Sequence, residues 1–250
     1  GGDLERGLRV ERGAARKVVL SGVGKTAEAM RAALEGGGMR FNVESEAELW
    51  RLAGCAARTR EKARIALRVN PDVPANTHPY ISTGLQQHKF GIPIGKARKL
   101  YAQASGTKYL RIAGVSVHIG SQITDVQPFT LAMERVAALV RVLQSDGHCI
   151  EYVDAGGGLG IDYQDAAEDG FADQTAAYAA ALLRPLRGLK VHLLLEPGRS
   201  RVGPAGILLT RVLYRKPNDP QRFPAVVVAS TQPLRTSRFR PRPDIVPARR

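Results

Sequence analysis

Tyr152-Val153-Asp154-Ala155-Gly156-Gly157-Gly158-Leu159-Gly160 is an apolar run that stops in three glycines. Glycine lets a backbone approach its neighbour closely, so a strand emptying into Gly156, Gly157 and Gly158 predicts a row of bare N–H groups. A phosphate is the expected occupant above that row. Two other stretches share the design. Val115-Ser116-Val117-His118-Ile119-Gly120-Ser121-Gln122 closes with a histidine and a hydroxyl, and Leu193-Leu194-Leu195-Glu196-Pro197-Gly198-Arg199 closes with an acid, a glycine and an arginine. Each alone reads equally as an ordinary strand with a glycine turn. All three together predict a parallel barrel, whose loops after the strands gather on one face and build the site there.

Working outward, Lys17–Gly22, Phe41–Glu44 and Ala63–Asn70 read as earlier strands, with helices predicted over Ala27–Leu34 and through Leu49, Trp50 and Leu52. Ser45 and Glu48 have capping-box spacing for the second of these. Gly24-Lys25-Thr26 is not a phosphate-binding P-loop, because Val19 stands where that motif needs its first glycine. Residues 77–92 form a loop long enough to be functional. Helices at Ile94–Ala104, Pro128–Leu143 and Ala176–Leu186 separate the later strands. Six strand-helix units in about 195 residues match the repeat of a (β/α)8 barrel. Beyond Arg199, Gly206–Tyr214 and Ala225–Ala229 read as strands without a helix between them, the start of a β domain.

At 250 residues and 44% hydrophobic composition the chain suits one large globular domain and a fraction more. No apolar run reaches membrane-spanning length and no leader pattern opens the chain, which predicts a cytoplasmic protein with no membrane partner. Cys55 and Cys149 have no zinc spacing, so two reduced thiols and no metal are expected. The formal charge of +14 suggests nucleic acid until it is located. From Arg199 onward twelve Lys or Arg face only Asp219 and Asp244, a net of +10, which leaves +4 for residues 1–198. The basicity belongs to the tail, and its Arg/Pro-rich end, residues 230–250, reads as disordered. Nucleic-acid binding through that tail is the third reading in order of preference, since the body carries no such fold motif.

FNVESEAEL, ALRVNPDV, THPYISTGLQQHKFGI, VSVHIGSQIT, YVDAGGGLGI and LEPGRSRVGPAGILLTRVLY, in this order and spacing, resemble the diaminopimelate decarboxylases, pyridoxal-phosphate enzymes of fold type III that make lysine from meso-diaminopimelate. The resemblance covers about residues 1–229. It implies an α/β fold containing strands three to eight of a TIM-type barrel, an alanine-racemase-like cofactor domain over residues 1–200, and the start of a β domain over 201–229. It also implies roles. Gly156, Gly157, Gly158, Ser121, Gly198 and Arg199 would hold the phosphate of pyridoxal 5'-phosphate, and Glu196 would face the pyridine nitrogen. His118 would lie against the ring face, Arg199 would reach a substrate carboxylate, and Arg68 would lie under the cofactor.

The family's cofactor lysine belongs to a first-strand Tyr-Ala-x-Lys-Ala-Asn context that this chain does not contain, and neither Lys25 nor Lys89 replaces it by motif. The resemblance therefore implies a chain truncated at both ends, with no catalytic lysine of its own and little activity alone. A noncatalytic cofactor-binding or regulatory protein is the second reading. Members of the family complete their site across a homodimer, through a β domain that this chain does not match. The change to arginine and proline after Ala229 is what a shifted reading frame would produce.

Overall fold

The structure, a computed structural model, describes residues 18–37, 40–74, 90–161, 168–206, 212–218 and 221–226. Most of the predicted loop of residues 77–92, and all of the 230–250 tail, lie outside the described residues. Six parallel strands form one sheet in the order β1 (Val19–Leu20), β2 (Arg40–Val43), β3 (Ala63–Asn70), β5 (Leu110–Val117), β6 (Tyr152–Asp154) and β7 (His192–Leu194). A two-residue strand, β4 (Ile92–Pro93), pairs with the end of β3. Helices α1 (Ala27–Glu35), α2 (Glu46–Thr59), α3 (Ile94–Ser105), α4 (Gln127–Ser145), α5 (Glu168–Leu186) and α6 (Arg199–Val202) return the chain between and after the strands. The architecture is a partial TIM-type barrel, as the strand-helix repeat predicts.

Local chemistry sets the helix starts. Thr26 accepts a hydrogen bond from the Ala29 N–H at 3.1 Å to open α1, and Ser45 accepts one from the Glu48 N–H at 3.2 Å to open α2. Pro128 occupies the first turn of α4, where its missing N–H has no partner to lose. Helix α5 begins at Glu168, earlier than the expected Ala176.

Of the predicted terminal strands Gly206–Tyr214 and Ala225–Ala229, residues 207–211 and 227–229 lie outside the described residues, and the described strands reach beyond the predicted spans on their inner sides. They run over Val212–Asn218 (β8) and Gln221–Val226 (β9) and pair antiparallel. Backbone pairing across the hairpin carries both strands through Arg215, Lys216 and Gln221, polar residues that an apolar-run criterion leaves out. Among the described residues no helix is long and apolar enough to cross a membrane.

The strands alternate between two environments. Phe41, Val43, Ile65, Leu67, Val115, Val117 and Val153 point outward into an apolar layer completed by Met30, Leu49, Leu52, Phe129, Val136 and Leu143 from the helices. Each such side chain taken fully from water is worth about 1.5–3 kcal/mol. On the inner face Ala66, Ala113 and Tyr152 form a separate small cluster against Leu194. Polar side chains are buried on the inner face as well: Asn42, Asn70, Ser116 and Asp154.

Between β3 and β5 the register shifts at Ile65/Ala66, so that Ala66 pairs with Gly114 and Ala113 is skipped. Tyr101 of α3 reaches into this irregularity. Its hydroxyl donates to the Gly114 carbonyl at 2.7 Å and accepts from the Leu67 N–H at 3.1 Å, which satisfies buried backbone groups beside the slip. Glycine is required at position 114, where a Cβ would come within 2.7 Å of the Tyr152 ring.

Candidate active site

The chemistry-bearing residues lie where β2, β3, β5, β6 and β7 end, on one rim of the sheet. Glu44 follows β2 and Arg68 lies near the end of β3; Arg68 Nη1 donates to Glu44 Oε1 at 2.6 Å, with both side chains nearly closed to water. The guanidinium also stands 5.6 Å from the Phe90 ring centroid and donates at 3.5 Å to the His118 carbonyl. A buried cation of this kind is tolerated because it is paired and hydrogen-bonded.

His118, just past β5, accepts the Gly157 N–H on Nδ1 at 3.2 Å. Its neutral form therefore carries its proton on Nε2. Burial, reinforced by the neighbouring Arg68 charge, lowers its pKa from 6.5 to about 4, so the imidazole is uncharged near neutral pH. The glycine turn after β6 is needed for this approach. A Cβ on Gly156 would meet His118 Nδ1 at 2.8 Å, and one on Gly157 would meet the Glu196 carbonyl at 2.3 Å. The Gly156 N–H donates to Asp154 Oδ1 at 2.9 Å, so the amides of Gly156 and Gly157 have partners within the chain.

Two carboxyl groups meet at the centre of the rim. Asp154, fully buried at the end of β6, accepts from Asn42 Nδ2 at 2.7 Å, and the same amide lies 3.4 Å from Glu196 Oε1. The two carboxyl groups thus share the Asn42 amide, and the charge of Asp154 acts on Glu196. Desolvation is the main cause raising both carboxyl pKa values above the ordinary carboxylate range. The backbone holds the pair in place: the Glu196 N–H donates to the Gly156 carbonyl at 2.7 Å, continuing the β6–β7 pairing past the strands. Glu196 itself is exposed at residue level, because β7 is the sheet edge among the described residues.

Ser121 is half-buried beside Gln122, whose side chain clamps the loop after β5 to the loop after β6. The Gln122 amide donates to the Ile161 carbonyl at 2.6 Å and accepts the Ile161 N–H at 3.2 Å, next to a parallel bridge between Ile123 and Leu159. Arg199 opens the four-residue α6, with Gly198 immediately before it. Lys25 takes no part in the rim. It donates to Glu48 at 2.7 Å and to the Gly22 carbonyl at 2.6 Å, a structural use consistent with rejecting the P-loop reading.

The structure thus brings His118, Gly156, Gly157, Glu196 and Arg68 together around residues that sequence reasoning did not single out: Asn42, Glu44, Gln122 and Asp154. Polar side chains at alternate positions of strands covered on both faces were the available signal, as in Phe41-Asn42-Val43-Glu44. Among the described residues no group of three or more His, Cys, Asp or Glu could hold a metal.

The family described as pyridoxal-dependent decarboxylase, pyridoxal binding domain, matches residues 2–203. The chain is 46% identical over 244 residues to the diaminopimelate decarboxylase of Pseudomonas aeruginosa, covering 98% of this chain and 58% of that protein. It is 43% identical to the Vibrio cholerae diaminopimelate decarboxylase, again covering 58% of the relative. Among solved structures, Helicobacter pylori diaminopimelate decarboxylase complexed with L-lysine superposes with a TM-score of 0.85 at 35% identity, over 99% of this chain and 62% of that one. The chain spans about three fifths of the length of these relatives. With its six-stranded partial barrel and its glycine turn packed against a neutral histidine, the chain belongs to the pyridoxal-dependent decarboxylases.

Proposed function

We propose that this chain supplies the cofactor-holding part of a decarboxylase acting on meso-diaminopimelate and releasing L-lysine. The observation that carries the reading is the rim constellation of neutral His118, the Gly156–Gly158 turn and the Glu196 carboxyl, in a chain 46% identical to a diaminopimelate decarboxylase. Pyridoxal 5'-phosphate, when bound, supplies an electron sink for the carbon that loses carbon dioxide. The residues suit that group: a planar ring fits against an uncharged imidazole, and side chains are absent where the glycine turn meets the neighbouring loops. Gly158, the Ser121 hydroxyl and the backbone near Gly198 and Arg199 would hold the phosphate, with the Gly156 and Gly157 amides holding Asp154 and His118 in place behind it. Glu196 would face the ring nitrogen, Arg68 would lie beneath the ring, and the Arg199 guanidinium would take a substrate carboxylate bidentately.

Titrating the full chain with pyridoxal 5'-phosphate, by the cofactor's absorbance, tests this assignment. Saturable binding that inorganic phosphate displaces, weakened at least tenfold by Ser121→Ala with Gly158→Ala, is the expected result. Binding indifferent to phosphate, or to both substitutions, overturns it. Release of lysine and carbon dioxide from meso-diaminopimelate, in preference to ornithine or arginine decarboxylation, tests the substrate.

A further inference from the structure

The lower end of the sheet, opposite the rim, gathers positive charge on its inner face. Arg40 of β2 pairs in register with Arg64 of β3, and Arg64 with Arg111 of β5. Residues paired across parallel strands point to the same side, and their upward neighbours Phe41 and Ile65 belong to the outer apolar layer. The arginines therefore face inward, the side on which Tyr152 of β6 joins the small inner cluster. The Arg40 guanidinium carbon lies over the Tyr152 ring, 5.2 Å from its centroid.

Three guanidinium groups meet one carboxylate there. Glu151 accepts from Arg64 Nη2 on one oxygen and from Arg111 Nη2 on the other, so both of its oxygens are engaged. Arg40 has no carboxylate partner among the described residues, which leaves the group with two positive charges in excess. Three polar atoms of this group are closed to solvent without a hydrogen-bond partner among the described residues: Arg40 Nε, Arg64 Nε and the Tyr152 hydroxyl oxygen. Tyr152 is only 2% exposed, and burial raises its pKa above the ordinary value of 10.0, so the phenol keeps its proton. All three can then donate, and none has an acceptor. Buried donors are as a rule matched, and a cluster of donors carrying net positive charge is matched by an anion. The Arg64 and Arg111 side chains are partly open to water, which gives such a ligand a way in.

We infer that the lower inner face of the sheet is an anion site, in which Arg40, Arg64 and the Tyr152 hydroxyl bind a small tetrahedral oxyanion of the phosphate class. Planar guanidinium forks suit the spaced oxygens of such an ion, and the phenol adds a neutral donor. Glu151 holds Arg64 and Arg111 side by side at the outer edge. The site uses none of the residues assigned to the cofactor phosphate. Arg40 stands two residues before Asn42 in β2, and Tyr152 two before Asp154 in β6, so a bound anion ties together the strands that carry the polar pair of the rim.

Inorganic phosphate at constant ionic strength is the probe. Because the rim would also take phosphate, the titration uses the full chain carrying Ser121→Ala with Gly158→Ala. Calorimetry should show one phosphate bound, and the denaturation midpoint should rise with phosphate concentration. Adding Arg40→Leu should weaken the binding at least tenfold and remove the rise, whereas Arg51→Leu, at an exposed position of α2, should leave both. If either set of substitutions fails to fold, the unsubstituted chain decides. Phosphate should slow phenylglyoxal labelling of Arg40 and Arg64, read peptide by peptide from mass, and leave labelling of Arg51 unchanged. No phosphate bound in the rim-substituted chain, binding indifferent to Arg40→Leu, or Arg40 labelled as fast with phosphate as without, overturns the inference. Displacement of the bound phosphate by glycerol 3-phosphate supports a phosphate monoester as the ligand, and its failure to displace supports the free ion.

Discussion

Phe41 and Asn42 are adjacent in β2 and equally closed to solvent, yet one enters the apolar layer under the helices and the other reaches Asp154 at 2.7 Å across the inner face. The same division runs through β3, where Leu67 is apolar and Arg68 ion-paired, and through β6, where Val153 precedes Asp154. The outward face contributes non-directional burial, which any side chain of suitable volume can supply. The inward face holds matched polar partners, and there the loss of one partner is worse than the loss of both. Stability is therefore concentrated on one face, and chemistry on the other.

The largest effect is expected outside. Phe41→Ala should destabilise the chain by about 4 kcal/mol, read from denaturant midpoints, since it removes a fully buried ring and leaves a cavity. Inside, Glu44→Ala should cost about 3 kcal/mol by stranding the Arg68 cation, and pairing Glu44→Leu with Arg68→Met should recover most of that loss. If the double change is as damaging as the single one, the contrast between the faces fails.

Acid separates the faces next. The folded pKa of His118 lies at about 4 against 6.5, so between these values the unfolded chain binds a proton that the folded chain refuses. Its contribution is fully present above pH 6.5 and is lost as the pH falls toward 4, by about 3 kcal/mol in all at 1.36 kcal/mol per pKa unit. Asp154 and Glu196 act in the opposite direction, because their raised values let the folded chain keep a proton that the unfolded chain releases as the pH rises. Unfolding curves of His118→Asn against the unsubstituted chain from pH 4 to 7 isolate the histidine slope. The smallest effect belongs to the outer surface, where Arg98 grips Asp146 at 2.7 and 2.8 Å in an exposed ion pair. Asp146→Asn should leave the midpoint unchanged at physiological salt.

Much of the fold was legible because it depends on local patterns. Ala63–Asn70 is a strand over its predicted span, and Ser45 caps α2 as its spacing with Glu48 implied. His118 and the glycine turn were legible through their place at strand ends and through the family resemblance. What stayed hidden is relational. Asn42 and Asp154 are 112 positions apart, and nothing in either segment says that the amide of one will complete the other. Glu44 reads as the end of a strand, and only the neighbouring position of Arg68 across the β2–β3 pairing makes it a counter-ion. The inner ends of the hairpin strands stayed hidden for a related reason, since their length is set by backbone pairing that composition does not display.

Tyr101 ties α3 to both strands that it connects, through one hydroxyl placed at the slip between them. That makes β3, α3 and β5 a unit in which two eight-residue strands and a helix are fastened at one hydroxyl. In time rather than in energy, this segment should be the last to let go. The Leu67 amide, bonded to a buried phenol rather than to another strand, should exchange its hydrogen no faster than the strand amides around it, and in Tyr101→Phe it should become the fast point from which the unit opens.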